Sequence, residues 1–196
     1  MSDSKWNQAE NTKREILKMV SSIFDPLGFL VRVTFVARQI MQQTWLQKVD
    51  WDEPIFPSPL LNQWKTWVES LKNADPFRIR RCLTPKSGMW TKTQLHVFTD
   101  ASEQGFGVVA YLRYEGGECD LTIAFVMAKA RVVPLKTVTN PRLEHCVALM
   151  GARLAQTIVK ELRTKVDEQI FHSDSVIVLK WITSTKCSIL TSETES

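Results

Sequence analysis

The period at which apolar residues recur changes once along the chain, and that change constrains the fold more than any other feature. From Thr12 to about Leu71 the apolar residues fall at helical spacing, whereas from Gln94 to Ala128 they come in short runs rich in Val, Ile, Phe and Tyr. In the first part Ile16, Met19, Val20 and Ile23 share one face, with Lys13, Arg14 and Lys18 on the remainder. This predicts a helix from Thr12 that Asp25-Pro-Leu-Gly28 breaks. A second helix is expected from about Val31 to Trp45 and a third from about Pro59 to Leu71, because proline is well tolerated in a first turn. Asp50-Trp-Asp-Glu-Pro54 and Pro57 mark the extended connection between them. Trp45, Trp51, Trp64 and Trp67 are expected to supply much of a small core.

Residues 75–89 carry Pro76, Pro85 and Gly88 among Arg78, Arg80, Arg81 and Lys86, the composition of an irregular linker. The chain is therefore read as a helical segment over 12–74, a linker over 75–93, a second domain over 94–183 and a disordered polar tail over 184–196. Strands are expected over 94–99, 107–114 and 121–128, with Gly116-Gly117 turning the second into the third. Asn140-Pro141 then opens a long helix whose Leu143, Val147, Met150, Leu154, Ile158 and Leu162 form an apolar stripe. A fourth strand over 169–172 and a short helix over 175–182 complete an α/β fold: a mixed sheet that begins antiparallel, preceded by helices.

A chain of 196 residues that is 44% hydrophobic can bury a real core, which excludes disorder throughout. Twenty-five Lys and Arg against 21 Asp and Glu give a formal charge of +4, compatible with a phosphate-rich partner without requiring one. Cys82, Cys119, Cys146 and Cys187 form no Cys-x-x-Cys pair, which argues against a zinc knuckle and a dense disulfide framework and for reduced thiols in a cytoplasmic or nuclear protein. Met1-Ser-Asp-Ser-Lys-Trp lacks a signal-peptide core, and no later run approaches the ~20 apolar residues of a membrane span. A soluble intracellular protein with no membrane partner is expected.

Three acids stand at informative places. Asp100 closes the first strand in Thr99-Asp-Ala-Ser102, Glu144 comes early in the long helix, and Asp174 closes the fourth strand in His172-Ser-Asp-Ser175. Strand ends and a helix start on one rim of a sheet bring distant residues to one point, where carboxylate oxygens can hold hard divalent cations. Two such ions, roughly 3.5–4 Å apart, would activate a water and stabilise the leaving oxygen of a phosphodiester, with no amino-acid nucleophile. Each acid also has an ordinary role to weigh: Asp100 as a turn former, Glu144 as a complement to the helix N-terminus worth about 0.3–1 kcal/mol, Asp174 as a helix N-cap. Their order, their placement and the Asp100-Ala-Ser-x-x-Gly-x-Gly107 pattern favour a shared site, and the constellation resembles ribonuclease H.

Gly105 and Gly107 lead into a strand and not into a helix, so they are read as permitting a tight hairpin and close backbone approach in place of a nucleotide loop. Neither Asp100-Ala-Ser nor Asp174-Ser-Val has the Asp-Thr/Ser-Gly of an aspartic protease. His96, His145 and His172 share no ligand spacing and are assigned to packing or surface. Lys129, Arg131, Lys136 and Arg142 form a basic group on the loop expected before Glu144. They are either solvated charge or contacts to a nucleic-acid backbone, whose affinity would fall steeply with salt.

Several unusual runs occur together and in one order: Lys13-Arg-Glu-Ile-Leu through Ser21-Ser-Ile-Phe-Asp-Pro-Leu-Gly-Phe-Leu30, Gln43-Thr-Trp45, Phe98-Thr-Asp-Ala-Ser102, Ala128-Lys-Ala-Arg-Val-Val-Pro-Leu-Lys136, Pro141-Arg-Leu-Glu-His-Cys146, Ser173-Asp-Ser175 and Leu179-Lys-Trp-Ile182. Over about 12–182 the chain resembles Pao/BEL-type retrotransposon polymerase polyproteins, covering the segment after the polymerase palm and the ribonuclease H-like domain. The resemblance implies that Asp100, Glu144 and Asp174 are catalytic metal ligands, that Mg²⁺ or Mn²⁺ is the cofactor, and that the ancestral substrate is RNA paired to DNA. Arg32 stands where the family commonly has proline. Neither a palm with paired aspartates nor the family's later acid, in an Asn-Pro-Ala-Asp-like motif, occurs in these 196 residues. The expectation is therefore an endonuclease with impaired hydrolysis, or alternatively a non-catalytic module binding nucleic acid or protein or a retroelement remnant, with a fourth-strand edge open to association.

Overall fold

The computed structural model describes residues 11–55, 59–76, 78–80, 82–84, 90–117, 121–135 and 139–183, the side chains of 181–183 excepted. The chain divides into two compact units, Met1–Ile79 and Arg80–Ser196. The expected tail over 184–196 and Lys136 lie outside the described residues.

The first unit contains α1 (Lys13–Ser22), α2 (Val31–Leu46) and α3 (Pro59–Lys72). Thr12 caps α1 by accepting a hydrogen bond from the Glu15 backbone at 3.3 Å. Asp25 takes the backbone N–H groups of Phe29 and Leu30 at 2.9 and 2.8 Å, while Gly28 turns the chain with φ 81°, a conformation that favours glycine. The core is built on Ile16, Ala37, Ile40, Leu60, Trp64 and Trp67. Trp64 and Trp67 stack at 4.9 Å, and the Trp67 indole donates to the Val33 carbonyl at 2.9 Å.

The expected four-tryptophan core is half right. Trp45 is 48% exposed and Trp51 half-buried. These two hold Lys13, whose Nζ lies 3.4 Å from the Trp45 ring centroid and 5.1 Å from that of Trp51, and donates to the Val49 carbonyl at 3.2 Å. Lys13, expected on the solvent face, is only 3% exposed. A long aliphatic stem can lie along apolar surface while its ammonium is held by ring faces and a carbonyl, which helical periodicity does not register.

The second unit contains β1 (Trp90–Ala101), β2 (Gly105–Gly116), β3 (Leu121–Val132), α4 (Asn140–Glu161), β4 (Glu168–Ser173) and α5 (Val176–Thr183). The sheet order is β3-β2-β1-β4; β1 pairs with β2 and β2 with β3 antiparallel, and β4 joins β1 in parallel. This is the mixed sheet expected from the sequence. On β1, Leu95 and Val97 turn inward toward Val108, Ala110, Leu112 and Tyr114, and α4 closes this face with Val147, Leu154, Ala155 and Ile158. β4 starts where Asp167 and Thr93 exchange two hydrogen bonds, Asp167 N–H to the Thr93 carbonyl at 2.8 Å and Thr93 N–H to Asp167 Oδ2 at 2.9 Å.

The strands are longer than the apolar runs. β1 begins at Trp90, inside the expected linker, because Trp90 pairs with Gly116 and its ring packs on Tyr114 at 5.8 Å. β3 runs to Val132, so Lys129 and Arg131 sit on a strand, paired with Val108 and Phe106, and not on the expected loop. Gly107 is not a steric necessity: a Cβ there would meet the Lys129 carbonyl at 3.5 Å, an ordinary contact. The turn before β2 is held by Ser102, whose N–H and hydroxyl both donate to the Gly105 carbonyl at 2.8 and 3.0 Å.

Gly151 sets the distance between helix and sheet. A Cβ at this position would lie 2.7 Å from Thr99 Cγ2 and 3.5 Å from Val97 Cγ1. Gly151→Ala should gain about 1 kcal/mol of helix propensity yet lose more to overpacking, typically about 1–3 kcal/mol. A lower urea midpoint with an unchanged m-value is expected. Adding Thr99→Ser, which removes the opposing methyl, should restore the midpoint; failure to do so would place the strain elsewhere.

Candidate metal centre

β1 and β4 run parallel, so their C-terminal ends lie on one rim of the sheet. β3 reaches the same rim after two antiparallel turns, and the chain re-enters there at Asn140 to start α4. Asp100 pairs with Gly107 near the end of the β1–β2 ladder, and Thr99 pairs with Ser173, which puts Asp174 level with Asp100 one strand across. Glu144 comes from the fifth residue of α4.

The ordinary roles considered for Asp100 and Asp174 fall to other residues. Ser102 holds the turn after β1. Ser175, and not Asp174, caps α5, its Oγ accepting from the Val178 backbone at 3.3 Å. Asp100 and Asp174 are exposed, and among the described residues no hydrogen bond or ion pair engages either side chain. Glu144 is half-buried, and its Oε2 is buried without a partner. Burial pushes the Glu144 carboxyl above its ordinary value of 4.5, the charges of Asp174 and then Asp100 push it further, and a hydrogen bond from Ser175 works the other way. The Glu144 carboxyl on α4 thus lies within the fields of Asp174 and Asp100, which come from two other places in the chain.

Carboxylate oxygens in this number suit a hard divalent cation, and the unpartnered Oε2 is an oxygen with a vacant acceptor role. The arrangement is not a preformed cage: among the described residues no three His, Cys, Asp or Glu side chains are gathered closely enough to hold a metal ion.

Of the four basic residues read as a group, Lys129 and Arg131 flank Ala130, which pairs with Gly107 opposite Asp100. Two strand spacings place that backbone roughly 10 Å from Asp100. Arg142 is exposed in the first turn of α4.

The histidines contain what the sequence did not show. His96 Nδ1 and His172 Nε2 meet at 2.9 Å between β1 and β4, and Phe98 stacks on His172 at 4.2 Å. Burial, His172 and Arg113 hold the His96 pKa below its ordinary value. The two residues are 76 positions apart, and only the parallel register brings them together. Beside them, on the face away from α4, lies a cavity of about 380 Å³ lined by His96, Phe98, Tyr111, Arg113 and Ile123.

Residues 12–175 match the family of Pao retrotransposon-like RNaseH-like domains. Among curated proteins none matches the chain. Among solved structures it is similar to a foamy viral protease-reverse transcriptase in complex with dsDNA, with 15% identity over 93% of this chain and 39% of that one, at a TM-score of 0.37. It is also similar to the dRH form of that protein in complex with dsDNA, with 16% identity over 88% of this chain and 30% of that one, again at a TM-score of 0.37. The chain thus spans well under half the length of these structures.

Because the folded chain holds the Glu144 proton to higher pH than the unfolded chain does, the folded state carries more protons from pH 4.5 up to the raised value. Stability therefore falls as pH rises through that window. Glu144→Gln removes the penalty. In EDTA at pH 7 the variant should melt above the native chain, within roughly 4 °C, and the gap should close as the pH is lowered toward 4.5. A variant that melts lower at pH 7 would show that the Glu144 charge contributes to the fold.

Proposed function

Because the chain belongs to the Pao retrotransposon-like RNaseH-like family, we propose that it acts on the RNA strand of an RNA–DNA hybrid by two-metal hydrolysis, with Asp100, Glu144 and Asp174 as the ligands. The observation that carries this reading is the placement of Glu144. It reaches from α4 into the fields of both Asp174 and Asp100 and keeps one buried oxygen unpartnered. Asp100 and Asp174 follow adjacent parallel strands at paired register, which supports reading them with Glu144 as one set.

Mg²⁺ or Mn²⁺ bound there would supply activation of a water and stabilisation of the leaving oxygen. Asp100 and Asp174 present exposed oxygens from adjacent strands, and Glu144 closes the set from the helix side. Lys129, Arg131 and Arg142 hold the nucleic-acid backbone by its phosphates, which positions the duplex without reading its sequence. Such a substrate implies a cytoplasmic or nuclear setting. Among the described residues no helix is long and apolar enough to cross a membrane.

One observation favours a second reading, a non-catalytic module that binds nucleic acid. The acids are not already gathered at ligand distance, so a cation must draw them in against their spacing. Hydrolysis would then be weak, and binding through the basic residues would dominate.

Purified chain incubated with end-labelled RNA–DNA hybrid should cleave the RNA strand in Mg²⁺ or Mn²⁺, with the activity lost in EDTA and in Asp100→Asn. Cleavage that survives Asp100→Asn would point to a contaminant, and none by folded protein leaves the binding module. In either case binding should weaken with salt. Replacing both Lys129 and Arg131 with Ala should make the slope of log affinity against log salt shallower by roughly 0.7–0.9 for each phosphate no longer neutralised; an unchanged slope would remove both from the interface.

A further inference from the structure

The two sides of α4 differ in kind. Val147, Gly151, Leu154 and Ile158 are buried against the sheet. On the opposite side Arg142, Leu149, Arg153 and Lys160 share one line along the helix, because each step between them is close to whole turns at about 3.6 residues per turn. All four are exposed, and their neighbours on that face, His145, Cys146, Gln156 and Thr157, include no acid. Among the described residues no ion pair or side-chain hydrogen bond engages Arg142, Arg153 or Lys160. The helix itself does not call for this row. Its macrodipole favours a cation in the last turn, where Lys160 sits, disfavours one in the first turn, where Arg142 sits, and does little for Arg153 between them. The cations are nevertheless compatible with the helix, since about 16 Å and then about 10 Å of axis separate them, more than a screening length of about 8 Å.

We propose that the outer face of α4 is a docking surface for the phosphate backbone of a nucleic-acid duplex, with Arg153 and Lys160 extending the contact that begins at Arg142 on the rim. Charge complementarity selects the occupant. A row of unpaired cations with no acid among them suits a row of anions, and lysines and arginines set along one helix face are the electrostatic footprint of nucleic-acid binding. The row from Arg142 to Lys160 spans about 27 Å of helix axis, the rise of about eight base pairs. An acidic protein would fit this face less well, because stable protein interfaces centre on a cluster of apolar or aromatic anchors. Here the only large apolar side chain on the line is Leu149, 45% exposed. Contacts of this kind position a duplex without reading its sequence. This inference rests on the reading above that the chain holds nucleic acid, and it is independent of the metal centre and of hydrolysis.

The test is the affinity of the full 196-residue chain for a labelled RNA–DNA hybrid, measured in EDTA across a range of KCl so that no hydrolysis intervenes. Arg153→Gln combined with Lys160→Gln should make the slope of log affinity against log salt shallower by roughly 0.7–0.9 for each phosphate no longer neutralised. The change should be the same for hybrids of any sequence. Exchanging the cations, Arg153→Lys with Lys160→Arg, should keep the native slope. Lys48→Gln combined with Lys65→Gln removes the same charge from exposed positions of the first unit and should leave the slope unchanged. All of these replace exposed side chains, so each variant should melt with the native chain. A native slope in the Arg153→Gln, Lys160→Gln variant, or an equal change in the Lys48→Gln, Lys65→Gln control, would overturn the assignment while leaving nucleic-acid binding standing. So would a variant that keeps its affinity for the hybrid but loses affinity for polyglutamate, which would give the face to an acidic protein. A folded native chain with no affinity for the hybrid would overturn both.

Discussion

The parallel pairing of β1 with β4 is the contact on which the rest of the second unit depends. Antiparallel hairpins can form β1, β2 and β3 from local turns, but β4 comes from more than 60 residues downstream and can reach β1 only after α4 has crossed the sheet. The register Thr99 to Ser173 then does three things at once. It sets Asp174 beside Asp100, it brings His172 against Phe98 and His96, and it leaves α5 starting at the acidic rim. A slip by one residue would swap the faces to which Phe171 and His172 point and carry Asp174 out of level with Asp100. The two hydrogen bonds between Asp167 and Thr93 guard against that slip, because they fix the register where the strand begins.

Much of this was legible in the sequence because the periodic elements are unambiguous. The change from helical spacing to short β-rich runs predicts the order of elements, and with it the positions of Asp100 and Asp174 at strand ends and of Glu144 early in α4. What escaped were features set by partners remote in sequence. Lys13 looks like a surface residue by periodicity and is enclosed by Trp45, Trp51 and the Val49 carbonyl. Lys129 and Arg131 follow an apolar run and look like loop, yet β2 offers them a paired strand. The His96–His172 contact depends on a parallel register that no local pattern encodes. Ser175 was overshadowed by Asp174, because either residue type is a good helix cap and only the folded chain shows which one is used.

The position of Glu144 follows from how α4 meets the sheet. Glu144, Val147, Gly151, Ala155 and Ile158 recur at the spacing of one helical face, and the last four are buried. Glu144 is therefore the charged end of the stripe that packs the helix down, carried past the end of the sheet to the rim. Its partial burial and raised pKa are consequences of that location.

Gly151 lies seven residues after Glu144, about 10 Å farther along the helix axis. Its missing side chain lets α4 settle onto Val97 and Thr99, the latter adjacent to Asp100. The close seat that builds the hydrophobic core is thus what brings a carboxylate on the helix within the field of a carboxylate on the strand. Packing and chemistry are joined through one rigid contact. Strain that lifted α4 at Gly151 would be felt at Glu144 two turns away, because a helix transmits displacement along its length far more readily than it bends.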